Sequence, residues 1–348
     1  MPDSGKDDSV LGDVTNHDAR SFDIAVITPT HNRATLICDA LDSIIAQSFQ
    51  GRIEVAVVDD GSTDDTEVVM QPYLKEYGDE TGRLVIRYSK LDKQGVVVAR
   101  NTAIAQTTAP LIALLDSDDY WEADKLQKQI DVLNGDDSIG VVHTSFRYVN
   151  EQNEFTDDGP QRLSNPCVGD CLDIMLDEFL VLFSSVMVRR SIVDKAAAAE
   201  QHGHPFDKRW TNSQDYDLML RCARHCTFGY VAEPLTLYRV HGAHGAMGNL
   251  KRAFGFHCRV QMDFVKRYGD QIGIGEAEIK KRVVNFVAGR AESMFWQRDF
   301  DKARDLCELA RELDVYNDRF AAIETKTSRP AWLYKAKDAV DRVLGRNG

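Results

Sequence analysis

The sequence lacks both glycine cradles that commonly hold a bare phosphate. PTHNRAT (29–35) stands where a dinucleotide fold needs G-x-G-x-x-G after its first strand, and no G-x-x-x-x-G-K-[ST] occurs. A basic excess is also missing. In 348 residues, 42 Lys and Arg face 55 Asp and Glu, a formal net charge of −13, which excludes counterion-driven binding to nucleic acid. A phosphorylated ligand therefore needs a cation or a local arginine cluster. No apolar run approaches the ~20 residues that cross a bilayer. The seven cysteines form no disulfide framework and suit a reducing cytosol. Cys222 and Cys226 flank His225, but without a second pair at ligand spacing they are expected to be buried thiols rather than a metal site. The opening segment, 1–21, is acidic and polar with no apolar core; it reads as a flexible tail and not as a signal peptide.

What is present is ordinary globular composition, 43% hydrophobic and 28% charged, enough for one large α/β domain with an appendage or for two modest domains. Apolar runs of strand character at 23–29, 53–62, 83–90, 110–116 and 139–150 alternate with helical patterns at 34–48, 63–77, 97–107 and 122–134. Pro72 is expected to interrupt the second helix. Strands alternating with single helices imply parallel pairing through right-handed crossovers, and ligands in such sheets bind beyond the carboxyl ends of the strands.

Two of those ends are acidic. The second strand finishes in Asp59 and Asp60, and the fourth in Asp116, Ser117, Asp118 and Asp119, within LIALLDSDDYWEADKL (111–126). One acidic cluster is usually a solvated turn, but two at equivalent edges of one sheet point to a site. Carboxylates so close repel, and a hard divalent cation is what such oxygens prefer. Asp116 and Asp118 sit two apart, so in extended backbone they face the same way. Asp119 has two equal readings, a metal-site residue or a cap for the following helix.

VITPTHNR, VAVVDDGSTDDT, GVVVARNTAIAQTTAPLIALLDSDDYW and QDYDLMLR occur in this order across about residues 22–245. They resemble the successive motifs of family 2 glycosyltransferases. The resemblance implies a GT-A type fold, a Rossmann-like mixed sheet flanked by helices. It also implies an inverting transfer of sugar from a nucleoside-diphosphate sugar, UDP being the favoured base, to an acceptor hydroxyl. DSD matches the family's metal-binding motif, so Asp116, Ser117 and Asp118 are expected at the donor diphosphate, with Mn²⁺ or Mg²⁺ held by Asp116 and Asp118. Asp59 and Asp60 match its nucleotide-binding carboxylates, with Ser62 or Thr63 left to cap the next helix. Pro29, Thr30 and Arg33 lie on the first strand's loop, where the family wraps the nucleotide, and Arg33 and Arg100 are candidates for phosphate or base. Asp215 matches the general base, while Asp217 is expected to cap a helix. His241, just past YR, matches a histidine that approaches metal or diphosphate. Trp121 and Trp210 either shape the donor and acceptor pockets or simply pack.

The expected layout is a tail over 1–21, a glycosyltransferase domain over 22–250 and a helical region over 251–348. The helical region contains one tetratricopeptide-like hairpin. Its last segment, 326–348, is basic and amphipathic and either docks on the protein or lies on a membrane surface. The expected localisation is cytoplasmic, peripheral at the inner face of the membrane if that segment binds lipid. Acceptors could be lipid-linked glycans, a growing polysaccharide or a protein. A nucleotidyltransferase, or a non-catalytic nucleotide-sugar-binding relative, is the competing reading. PTHNRAT does not supply the basic glycine loop of the first, and a mere binder has no need of Asp215.

Overall fold

A computed structural model describes residues 21–156, 166–179, 181–240 and 249–328. Its first half alternates strand and helix: β1 (Ile24–Thr30), α1 (Ile37–Ile45), β2 (Ile53–Asp59), α2 (Thr66–Tyr77), β3 (Leu84–Lys90), α3 (Val96–Ala105) and β4 (Leu111–Leu114). These strands pair in parallel in the order β3-β2-β1-β4. Every residue of β1 and β2 is buried, which is why both read as continuous apolar runs rather than as alternation. Successive side chains go to opposite faces. Ala25 and Ile27 join one core with α3, while Ile24 and Val26 join another with α1.

The second half departs from simple alternation. It runs β5 (Tyr120–Trp121), α4 (Lys125–Gly135), β6 (Ile139–Val149), α5 (Leu172–Asp177), a 3₁₀ turn at Phe183–Ser185, β7 (Met187–Arg189), α6 (Arg190–Ala198), α7 (Gln214–Ala223) and β8 (Thr227–Arg239). Here β7 lies antiparallel to both β4 and β6, and β5 is antiparallel to β8. The result is a mixed eight-stranded sheet ordered β3-β2-β1-β4-β7-β6-β8-β5.

Four helices follow: α8 (Leu250–Ile272), α9 (Glu276–Trp296), α10 (Phe300–Glu312) and α11 (Asp318–Thr327). Side chains Val260, Phe264, Val265 and Tyr268 of α8 belong to the core shared with α3 and α7, whereas Cys258 joins a separate core built by α9, α10 and α11. No helix among the described residues is long and apolar enough to cross a membrane. Residues 329–348, most of the basic amphipathic segment, lie outside those described.

Pro72 does not interrupt α2, which runs unbroken from Thr66 to Tyr77. Pro72 is exposed, and Val68, whose carbonyl loses its partner, is 65% exposed, so water can satisfy that oxygen.

Candidate active site

The acidic run after β4 is a turn rather than extended backbone: the Asp119 N–H donates to the Asp116 carbonyl at 3.1 Å. Asp119 neither caps a helix nor faces the cavity. It is buried, accepting the Ser184 hydroxyl at 2.5 Å and the Arg239 N–H at 3.0 Å. Burial, reinforced by Asp118 and Asp116, pushes its pKa well above the usual carboxylate range. Ser184 Oγ also accepts the Asp116 N–H at 3.2 Å, and Arg239 Nε donates to the Asp118 carbonyl at 2.8 Å. The turn is thus held from below by residues of two distant segments, and Asp116 and Asp118 are left at the surface of a cleft.

Each of those two carboxylates meets an arginine. Arg100 Nη2 lies 2.5 Å from Asp116 Oδ1, and Arg33 Nη2 lies 3.3 Å from Asp118 Oδ2. Arg100 is buried on the helix α3, its guanidinium 4.6 Å from the centre of the Phe183 ring. Its Nη1 has no hydrogen-bond partner among the described residues. Pro29, Thr30, Arg33, Asp60, Arg100, Asp116, Ser117 and Asp118 line one cavity of about 350 Å³, together with His31, Val96 and Gln214.

The carboxylate pair after β2 divides. Asp59 does not line the cavity; it is wholly buried, accepting the Ser62 N–H at 2.7 Å and the Tyr88 hydroxyl at 2.6 Å. Asp60 does line it, and also takes the N–H groups of Gln94 and Gly95 at 2.6 and 2.9 Å. The intervening Gly61 has φ +74°, and a Cβ there would stand 3.0 Å from the Lys93 nitrogen, so the turn requires glycine. Neither Ser62 nor Thr63 caps α2. Ser62 Oγ accepts the Asn32 N–H and the Thr63 N–H donates to Asn32 Oδ1, tying this loop to the one after β1. Asp64 takes the Thr66 N–H at 3.0 Å instead.

Asp215 sits in the first turn of α7, behind Ser213, a non-glycine residue in the left-handed region at φ 58°. Asp215 is half-buried and lines a second cavity, while its neighbour Gln214 lines the first. Burial raises the Asp215 pKa, Arg100 opposes the rise and Asp116 adds to it. Gln214 Oε1 is buried with no partner among the described residues. Asp217 is not a cap, because α7 already begins at Gln214. It is fully buried, accepting Arg221 at 2.7 and 2.9 Å and Arg267 at 2.9 Å.

The remaining candidates separate. Trp121 is a packing residue, its Nε1 donating to the Ser184 carbonyl at 2.8 Å. Trp210 is buried in the core and lines neither cavity. Cys222 and Cys226 are free thiols. His241 lies outside the described residues. Sequence reasoning missed Ser184, whose segment LFSSV has no motif, and undervalued Gln214 and Arg239, which stand inside motifs but whose contacts arise only on folding.

A divalent cation fits this donor set in one way. No three His, Cys, Asp or Glu side chains gather as a cage among the described residues. A magnesium-like ion, however, commonly takes one or two carboxylates and completes its octahedron with phosphate and water. Asp116 and Asp118 beside a cleft of about 350 Å³ meet that requirement.

Comparison with known proteins bears on the family and the fold. Residues 25–195 match the model of Glycosyl transferase family 2. TuaG of Bacillus subtilis, named for teichuronic acid biosynthesis, is 33% identical over 165 residues, covering 44% of this chain and 62% of TuaG. The chain therefore spans under two thirds of that relative. S. aureus TarS, solved with UDP-GlcNAc, superposes with TM-score 0.60 at 17% identity, over 87% of this chain and 84% of that one. The mannosyltransferase PcManGT from Pyrobaculum calidifontis, solved with GDP-Man and Mn²⁺, gives TM-score 0.52 at 16% identity, over 94% and 88%. Through residues 25–195, the chain belongs to the family 2 glycosyltransferases, and its mixed sheet is that of the GT-A fold.

Proposed function

We propose that this chain is an inverting glycosyltransferase. It moves a sugar from a nucleoside-diphosphate sugar, with UDP as the nucleotide, to the hydroxyl of a glycan acceptor in polysaccharide biosynthesis. The observation that carries this reading is that Gln214 and Asp215, adjacent in the chain, line two different cavities. One cavity is lined by three carboxylates, Asp60, Asp116 and Asp118, and two arginines. In the other, Glu178 is paired with Arg290, which leaves Asp215, its pKa raised by burial, as the unpaired carboxylate among the described residues.

Asp116 and Asp118 would hold Mn²⁺ or Mg²⁺, which when bound offsets the diphosphate charge and stabilises the leaving group. Arg33 and Arg100 bind and orient the diphosphate, and the unpartnered Arg100 Nη1 supplies a buried donor to it. Asp60 and Thr30 line the same wall. Asp215 takes the proton of the acceptor hydroxyl as its oxygen bonds to the anomeric carbon. The bond from that carbon to the diphosphate oxygen breaks, and the nucleoside diphosphate leaves with the electron pair. One in-line displacement with one base inverts the centre. The UDP complexes of TarS support the choice of nucleotide by fold likeness, and the names of relatives such as TuaG support the pathway class.

The test is Mn²⁺-dependent release of UDP from UDP-sugars, screened against GDP-sugars, with NMR of the product anomer. No release from any nucleotide-sugar, or a product of retained configuration, would overturn the reading.

A further inference from the structure

The cavity that Asp215 lines is closed on one side by the helical region and on the other by Glu178, Phe179 and the segment 212–216. Its volume is about 300 Å³, at the lower end of small-molecule sites, which suits the terminal residue of a chain better than an extended one. Phe254 and His257 of α8 and Phe286 and Arg290 of α9 form one wall, facing the first turn of α7. Both helices lie beyond the residues that match the family model.

His257 is the informative residue. Its ring is stacked on Tyr216 at 4.3 Å and packed on Phe286 at 4.8 Å, with 9% of its surface exposed. Its Nε2 is buried without a hydrogen-bond partner among the described residues, a costly state unless a ligand supplies one. Burial, aided by Arg290, depresses the pKa to about 3, so the ring is neutral and offers the hydroxyl-matching chemistry of an uncharged imidazole. Phe254 and Phe286 meet edge to face at 5.3 Å, an apolar surface of the kind that the C–H faces of a pyranose cover. Arg290 is already paired with Glu178, and with Asp215 the lining carries two carboxylates against one guanidinium. An anionic sugar or phosphate would meet that surplus of negative charge.

We propose that α8 and α9 form the acceptor subsite, which takes the uncharged terminal sugar of a glycan, with His257 Nε2 bound to one of its hydroxyls. This rests on the transferase reading above and adds to it where acceptor choice is made. The wall that reads the acceptor stands on helices beyond residues 25–195, whereas the acidic turn lies within them.

The experiment compares UDP release from UDP-glucose and UDP-N-acetylglucosamine, with Mn²⁺, in water alone and with added methyl glycosides. The glycosides are those of glucose, galactose, N-acetylglucosamine and glucuronic acid. A neutral glycoside should accelerate release saturably, and the glucuronide should not. In His257→Phe, which keeps the ring stack but removes the nitrogen, the ratio of glycoside-driven to water-driven release should fall about tenfold, the worth of one hydrogen bond. Ala253→Trp, which fills the cavity from its half-exposed rim, should lower the ratio further. The proposal is overturned if no neutral glycoside accelerates release, if only the glucuronide does, or if neither variant changes the ratio. It is overturned too if both rates fall by one factor, because that marks a merely structural role. Failure of the unsubstituted protein to release UDP even into water would be a different result, and would strike the donor-site reading itself.

Discussion

Ser184 Oγ donates to Asp119 at 2.5 Å across 65 residues of sequence, and the same oxygen accepts the Asp116 N–H at 3.2 Å. One hydroxyl therefore closes both ends of the acidic turn. In Ser184→Ala a buried carboxyl and a backbone N–H lose their partner together, at a cost of about 1–3 kcal/mol. Urea denaturation should register that loss, and calorimetry should register weaker Mn²⁺-dependent UDP binding. Unchanged values in both would mean that the turn is held by Arg239 alone.

Asp118 bears on the donor and little on the fold. Its pair with Arg33 is 3.3 Å long, with side chains 22% and 39% exposed, a geometry that contributes about 0–1 kcal/mol. Asp118→Ala should keep the melting temperature within a few degrees while abolishing the metal-dependent part of UDP affinity. Calorimetry with and without Mn²⁺ reads this directly; equal affinities for variant and parent would remove Asp118 from the metal site.

Asp215 should show the signature of a functional group held against its own stability. Its pKa is raised in the folded chain, so folding favours the protonated form. Its contribution to stability is greatest below the unfolded carboxylate range and is lost as pH rises through the raised value. At neutral pH Asp215→Asn should therefore melt no lower than the parent. Turnover should fall about 10²–10⁴-fold, with donor affinity retained. In the parent, the acid limb of the rate profile should lie above the ordinary carboxylate range. A destabilised Asn variant with modest kinetic loss would identify the residue as structural.

Asp217, two positions on, should behave in the opposite way. It neutralises Arg221, which has no exposed surface, and also binds Arg267. Breaking such a buried pair costs about 3–5 kcal/mol. Asp217→Asn should lose stability of that order in urea while turnover per folded molecule changes little. Comparing the two substitutions separates the base from its scaffold.

The parallel half of the sheet was legible because β1 and β2 are buried on both faces and so are written in unbroken apolar runs. The mixed half was only partly so. The strand read at 139–150 is β6, but a three-residue strand such as β7, or a two-residue one such as β5, is too short to display a period, and β6 meets β8, in parallel, with three shifts of register. Arg33, Arg100, Asp116 and Asp118 could be singled out because each lies near a strand end or helix start that the topology brings to one edge. Asp59 could not be told from Asp60, since which carboxylate turns inward depends on Tyr88, a residue of another strand. Ser184 acts through partners 65 and 68 residues away, and the local i,i+4 spacing of Asp217 and Arg221 does not announce that the pair is buried or that Arg267 joins it from 50 residues on.

Helix α8 has a consequence for how such a protein can diversify. A crossover that exchanged everything after β8 for another tail would strip Val260, Phe264, Val265 and Tyr268 from beneath the catalytic core, and with them Arg267, the second cation on Asp217. The chain cannot be treated as a transferase cassette with a detachable end. New acceptor preferences are reached by point changes along the inner faces of α8 and α9, or by grafts joined beyond Ile279, the last side chain that this core claims.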